Sequence, residues 1–234
     1  MAKQCRAIIT DWGGVLTSPL RETIDAWLVA DGIDRQGYRA VMRAWVEGAY
    51  AGGPAGANPI HALERGEVAV AEFERLLAAE LRLLDGGPVP AEGLITRMFS
   101  GFHPVEEMYA LLRQARTRRV RTCLLSNSWG NGYPHERFAD TFDAVVISGE
   151  VGMRKPEPEI FRHAVELTGV PAEECVFIDD IEHNVRAAVE LGMTGILHTD
   201  PAETRQRLAE TCGVEFDPLP TPPSPPRPTR PRAS

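Results

Sequence analysis

Apolar residues along this chain follow two different rhythms. One is the continuous run. Ala7–Thr10, residues 120–125, Ala144–Ile147, residues 175–178 and residues 194–198 are short, β-branched or apolar stretches bounded by polar or glycine-containing segments. Strands buried on both faces of a parallel sheet read in this way. The other rhythm is helical. Val105, Met108, Tyr109 and Leu112 predict a helix from residue 104 to about 116, with proline in its first turn. Ile160, Phe161, Ala164 and Val165 predict one that ends near Gly169, and Val185, Ala188 and Val189 one that stops at Gly192. A last helix is expected over 202–211. Five strands joined by helical crossovers predict an α/β, Rossmann-like parallel five-stranded sheet with helices on both faces, because such crossovers are right-handed.

Between residues 17 and 101 the strand rhythm disappears. Apolar positions recur at helical spacing in four groups: Ile24, Trp27, Leu28; Tyr38, Val41, Met42, Trp45; Val70, Phe73, Leu76, Leu77, Leu81; and Leu94, Ile95, Met98, Phe99. Four amphipathic helices suffice for a small bundle. The pattern therefore divides into an α/β core, 1–17 and 101–216, and an inserted helical cap, 18–100. The insertion follows the first strand, which sets it at the carboxyl edge of the sheet. Glycine-rich residues 48–59 interrupt the bundle and are longer than a tight helix connection needs. Residues 217–234 hold eight prolines and three arginines with little to bury, which predicts a disordered or polyproline-type tail. There is no internal repeat.

Composition narrows the partners. The 234 residues carry 33 acidic and 25 basic side chains, a formal charge of −8. That balance argues against nucleic acid or an anionic membrane as the main partner. An acidic protein that handles an anion must gather positive charge locally. No apolar stretch approaches the roughly 18 residues of a membrane span. The chain runs from Met1 into its first strand without a signal-like segment, which leads us to expect a cytoplasmic protein. Cys5, Cys123, Cys175 and Cys212 are far apart and lack paired metal-ligand spacing, so reduced core thiols are expected.

Four polar clusters close the predicted strands, or follow shortly after them, in a fixed order: Asp11, Ser126-Asn127, Lys155-Pro156 and Asp179-Asp180. Ligands of open α/β sheets bind beyond the carboxyl ends of the strands. One edge would therefore collect three carboxylates, a hydroxyl and an ammonium. Carboxylates suit a hard divalent cation such as Mg2+, and lysine and hydroxyl suit a phosphoryl oxygen.

These motifs, with Glu150-Val151-Gly152-Met153-Arg154-Lys155-Pro156, Phe177-Ile178-Asp179-Asp180 and Asn184 as the most specific stretches, resemble the haloacid dehalogenase superfamily over about residues 5–200. The branch with a helical cap inserted after the first motif is the nearest, especially its sugar-phosphatase-like and epoxide-hydrolase-N-terminal-like members. The resemblance implies that Asp11 is the nucleophile and forms an aspartyl phosphate. It implies that Ser126, helped by Asn127, holds the phosphoryl group, and that Lys155 binds a phosphoryl oxygen and restrains Asp11. It assigns Mg2+ to Asp11, the backbone carbonyl of Gly13 and Asp180, with Asp179 acting directly or through water. Asn184 would orient a ligand or cap its helix. Trp12 would wall the substrate or pack under the cap.

Gly13 departs from the family pattern. Most phosphatases of the superfamily carry there a second aspartate that protonates the leaving oxygen. Glycine keeps the carbonyl and loses the acid. His183 and His135 are candidate replacements; otherwise the leaving group needs little protonation, as with an anomeric oxygen, an acyl phosphate or a halide. Arg21, Arg39 and Arg43 of the cap are candidates to reach an anionic group, and Arg154 is structural or exposed. The expected function is a Mg2+-dependent phosphatase of a small phosphorylated metabolite, sugar phosphate first. The alternatives are a 2-haloacid dehalogenase, or a catalytically weak protein that binds a phosphorylated ligand, or a protein partner through the proline–arginine tail.

Overall fold

In the computed structural model, which describes residues 5–50, 58–130 and 132–218, the strand-like runs form one sheet. The strands are β1 (Ala7–Thr10), β2 (Arg121–Ser126), β3 (Ala144–Ile147), β4 (Cys175–Asp179) and β5 (Thr194–Leu197). All pair in parallel, in the order β3-β2-β1-β4-β5. Thr10 stands beside Leu124 on one side and Ile178 on the other. The next residues of these central strands, Asp11, Leu125-Ser126 and Asp179, therefore come out together at the carboxyl edge.

Helices cover both faces, as parallel strands require. α6 (Glu106–Thr117) and α11 (Pro201–Cys212) pack Met108, Leu111, Leu112 and Leu208 against Ile8, Leu124, Val176 and Ile178. On the other face α9 (Pro158–Thr168) and α10 (Glu182–Glu190) pack Ile160, Phe161, Ala164 and Ala188 against Ile9, Cys123, Leu125 and Phe177. Two single-turn helices, α7 (Phe138–Thr141) and α8 (Ser148–Val151), flank β3.

The insertion carries α1 (Leu20–Ala30), α2 (Arg35–Tyr50), α3 (Pro59–Glu64), α4 (Val70–Glu80) and α5 (Leu94–Phe99). They close around their own apolar cluster, with Phe73, Leu77, Leu81, Leu94 and Met98 fully buried. Four helices are expected from the apolar spacing; α3 is a fifth among the described residues. It is only six residues long, too short to show a period, and starts on an Asn58 cap whose side chain accepts from the Ile60 and His61 amides. Most of the glycine-rich 48–59 stretch and residues 219–234 of the tail lie outside the described residues.

The expectation of four reduced thiols is corrected. Cys5 and Cys212 form a disulfide across 207 residues, with Cα atoms 4.5 Å apart. The entry to β1 and the end of α11 share one apolar cluster, a proximity that sequence separation hides. Cys123 and Cys175 are free and buried, and burial pushes their thiols up to about 12 and about 11. No helix among the described residues is long and apolar enough to cross a membrane.

Candidate active site

The parallel register and the turns after β1 and β4 bring the predicted acids together. Carboxylate oxygens of Asp11, Asp179 and Asp180 lie within 4.8 Å of one another. The turn after Asp11 makes this approach possible. Gly14 has φ +74°, and a Cβ there would collide with the Asp180 carboxylate. Gly13 has no such constraint: a Cβ would meet nothing within 4 Å.

Lys155 is 1% exposed and ties the acids together. Its Nζ donates to Asp11 Oδ1 at 2.8 Å and to Asp179 Oδ2 at 2.7 Å. Burial alone would push this ammonium down; the charges of Asp11 and Asp179 outweigh it, and its pKa is raised. Asn127 holds the lysine backbone by a reciprocal pair: Lys155 N donates to Asn127 Oδ1 at 2.8 Å, and Asn127 Nδ2 donates to the Lys155 carbonyl at 3.0 Å. The peptide between Lys155 and Pro156 is cis.

Asp179 is fully buried and saturated with donors. Besides Lys155 it accepts from the Ile181 amide at 2.8 Å and from Asn184 Nδ2 at 3.1 Å on each oxygen. Asn184 thus orients an acid rather than capping α10. Burial pushes Asp11 up to about 7, with Lys155 opposing and Asp179 and Asp180 adding to the rise. Burial, then Asp179, pushes Asp180 up to about 6, against the pull of Lys155. Three carboxylates thus share one ammonium. A second, hard cation fits this donor set, and the Asp180 carboxylate faces the cavity beside Asp11 and Gly13.

Ser126 is buried, with its Oγ 3.0 Å from Tyr133 Oη, and lines the same cavity, of about 170 Å3, as Asp11, Asn127, Lys155, Asp180 and Asn184. Trp12 lines the cavity and packs between Phe102 and Tyr133 of the core, at ring distances of 5.7 and 4.8 Å. Other candidates are not gathered there. His183 and His135 are exposed and outside the lining. Arg21 and Arg39 border an adjacent open groove that reaches Asp180, where Arg39 bonds Asp25; Arg43 is exposed.

Sequence reasoning missed Glu64, at the end of α3. It is 6% exposed and reaches the cavity. Its carboxylate accepts from Trp129 Nε1 at 3.1 Å and Arg154 Nε at 2.5 Å, and its carbonyl accepts from Ser148 Oγ at 2.5 Å. Arg65 pairs with Glu157, and a Cβ on Gly66 (φ +71°) would sit 2.6 Å from the Gly149 carbonyl oxygen. Residues 64–66 are thus where cap and core lock. Trp129 stands two residues beyond Asn127, the one hint the sequence offers.

A family model described as haloacid dehalogenase-like hydrolase matches residues 5–192. Bifunctional epoxide hydrolase 2 of Rattus norvegicus is 27% identical over 182 residues, covering 70% of this chain and 33% of its own. The sesquiterpene phosphatase astK of Aspergillus oryzae is 32% identical over 114 residues, covering 47% of this chain and 58% of its own. The chain therefore spans well under two thirds of these relatives. A HAD-family enzyme of Bacteroides thetaiotaomicron, solved as a magnesium complex, superposes with a TM-score of 0.58 at 27% identity, over 83% of this chain and 93% of that one. With a family match over most of its length and a sheet edge that assembles all four motifs, this chain belongs to the haloacid dehalogenase-like hydrolases.

Proposed function

We propose that the protein is a Mg2+-dependent phosphatase of small phosphorylated metabolites that works through an aspartyl phosphate on Asp11. The observation that carries this reading is the buried Lys155 ammonium, bonded to both Asp11 and Asp179 in the lining of a cavity that Asp180 shares. The Asp11 carboxylate attacks phosphorus, the Asp11 O–P bond forms, and the bond from phosphorus to the leaving oxygen breaks. Water then attacks the same phosphorus and releases inorganic phosphate and free Asp11. Lys155 holds Asp11 in place and offers its charge to a phosphoryl oxygen. The Ser126 hydroxyl, backed by Tyr133, donates to another. Asp11, Asp180 and the Gly13 carbonyl would hold Mg2+, with Asp179, oriented by Asn184, steering Lys155. When bound, the ion offsets the charge built up as two anions meet.

The phosphatase name of one relative and the magnesium in one structural neighbour support this reading. The dehalogenase alternative has one observation in its favour, Gly13, since a halide leaves unprotonated. It gives no task to the Asp180 carboxylate, because attack on carbon needs no cation. A phosphate-release screen over phosphomonoesters, run with Mg2+ and with chelator, tests the proposal, with 2-chloropropionate as the comparison. We expect Mg2+-dependent phosphate release. Chloride release without phosphate release would select the dehalogenase.

A further inference from the structure

We propose that the group carried by the phosphate is apolar and leaves as a stabilised anion, so that the substrate is an aryl phosphate rather than a sugar phosphate. The inference rests on the phosphatase reading and specifies its substrate. Two independent features point the same way.

The first is the wall opposite Asp11. Leu20, Ile24, Met98 and Phe99 descend from the cap, and Trp129 and Ile181 rise from the core. Leu20 is 36% and Ile181 48% exposed, so large apolar side chains stand open beside a cluster of buried charges. Apolar surface left open around a few convergent polar groups marks a site for an apolar ligand. A sugar would need hydroxyl partners here. The polar side chains nearest to that task are already engaged: Asn127 by the Lys155 backbone, Asn184 by Asp179, and Glu64 by Arg154 and Trp129. The wall is also aromatic in a continuous arc. Trp12 meets Phe102 edge-on at 5.7 Å, Phe102 meets Phe99 at 4.9 Å, and Phe99 meets Trp129 edge-on at 6.3 Å. A flat ring adds one more partner to such an arrangement.

The second feature is the absent acid. At Gly13 the space a side chain would fill is open. His183 and His135 are outside the lining, and Tyr133 is committed to Ser126. An alkoxide leaving a primary sugar phosphate or an alkyl phosphate needs a proton. A phenolate, whose conjugate acid titrates at about 10, departs without one. Apolarity and leaving-group acidity are separate demands, and an aryl phosphate meets both.

Four substrates separate these demands when assayed on the Mg2+-supplied protein: phenyl phosphate (apolar, good leaving group), benzyl phosphate (apolar, poor), acetyl phosphate (polar, good) and glucose 6-phosphate (polar, poor). We expect phenyl phosphate to have the highest kcat/KM. It should exceed benzyl phosphate by about 10²-fold or more, the scale of a missing general acid. Phe99→Ala should raise KM for phenyl phosphate several-fold more than for acetyl phosphate. Glucose 6-phosphate turned over as well as phenyl phosphate, or a Phe99→Ala defect equal on both good leaving groups, overturns the inference and leaves the phosphatase standing. No phosphate release from any of the four overturns both.

Discussion

Below the cavity, three carboxylates and an ammonium crowd together at the ends of β1 and β4 and the loop before α9, with Lys155 bonded to Asp11 and Asp179. Above it, the cap presents the apolar side chains of Leu20, Ile24, Met98 and Phe99. The floor is charged, the roof apolar. On the proposed reading the difference is a division of labour: the core would position the groups that make and break bonds to phosphorus, and the cap would select what the phosphorus carries. Among the contacts between the two halves is Glu64, which touches Arg154 next to Lys155 and Trp129 close to the Ser126 turn.

The sharpest break falls on the floor. Asp11→Asn should reduce phosphate release to assay background while circular dichroism and melting temperature stay close to the parent, because the amide keeps the shape and loses the nucleophile. A weaker but still large effect comes from adding to the floor. Gly13→Asp should raise kcat on benzyl phosphate by about 10²–10⁴-fold and change phenyl phosphate little. The backbone at Gly13 accepts a side chain and the space is open, so the fold should tolerate it. Gain on both substrates alike would show that protonation is not what the parent lacks.

The junction yields a stability effect. The side chains of Arg154 and Glu64 are 11% and 8% exposed, and removing one partner of a buried pair costs about 3–5 kcal/mol. Glu64→Ala should therefore lower the melting temperature by several degrees in calorimetry. Removing Arg186 from its exposed pair with Glu182 should stay within about 0.5 kcal/mol. A further effect is on pH. Burial, then Arg154 and Arg65, holds His61 down to about 4. Unfolded, the imidazole binds its proton near 6.5, so between these values the unfolded state holds more protons and stability falls as pH falls. His61→Gln should flatten the slope of stability between pH 6.5 and 4 in urea titrations.

The floor was legible in the sequence because its residues are announced by their strands. An apolar run that ends in Asp11, Ser126 or Asp179 states both the burial and the edge. Register then does the rest, since parallel pairing aligns the ends. The cap was legible only as helices. Which face of α1 and α5 looks down on Asp11 depends on how the bundle docks. Docking depends on α3, a six-residue helix without periodicity, and on Gly66 lying against Gly149. Glu64 therefore carried no signal, and neither did the Cys5–Cys212 proximity, which only the packing of α11 beside the start of β1 creates. The sequence reads Asn127 as a phosphoryl contact and Asn184 as orienting a ligand or capping its helix; in the structure their amides bond the Lys155 backbone and the Asp179 carboxylate.

The central claim is that Asp11 takes the phosphoryl group. Mixing the protein with Mg2+ and phenyl phosphate, quenching in acid within one turnover and mapping the peptides by mass tests it most directly. The account predicts one added phosphoryl group on the peptide that contains Asp11, gained before phosphate appears and absent from Asp11→Asn. Phosphate release from the parent with no phosphorylated peptide, or with the label on another residue, would contradict it.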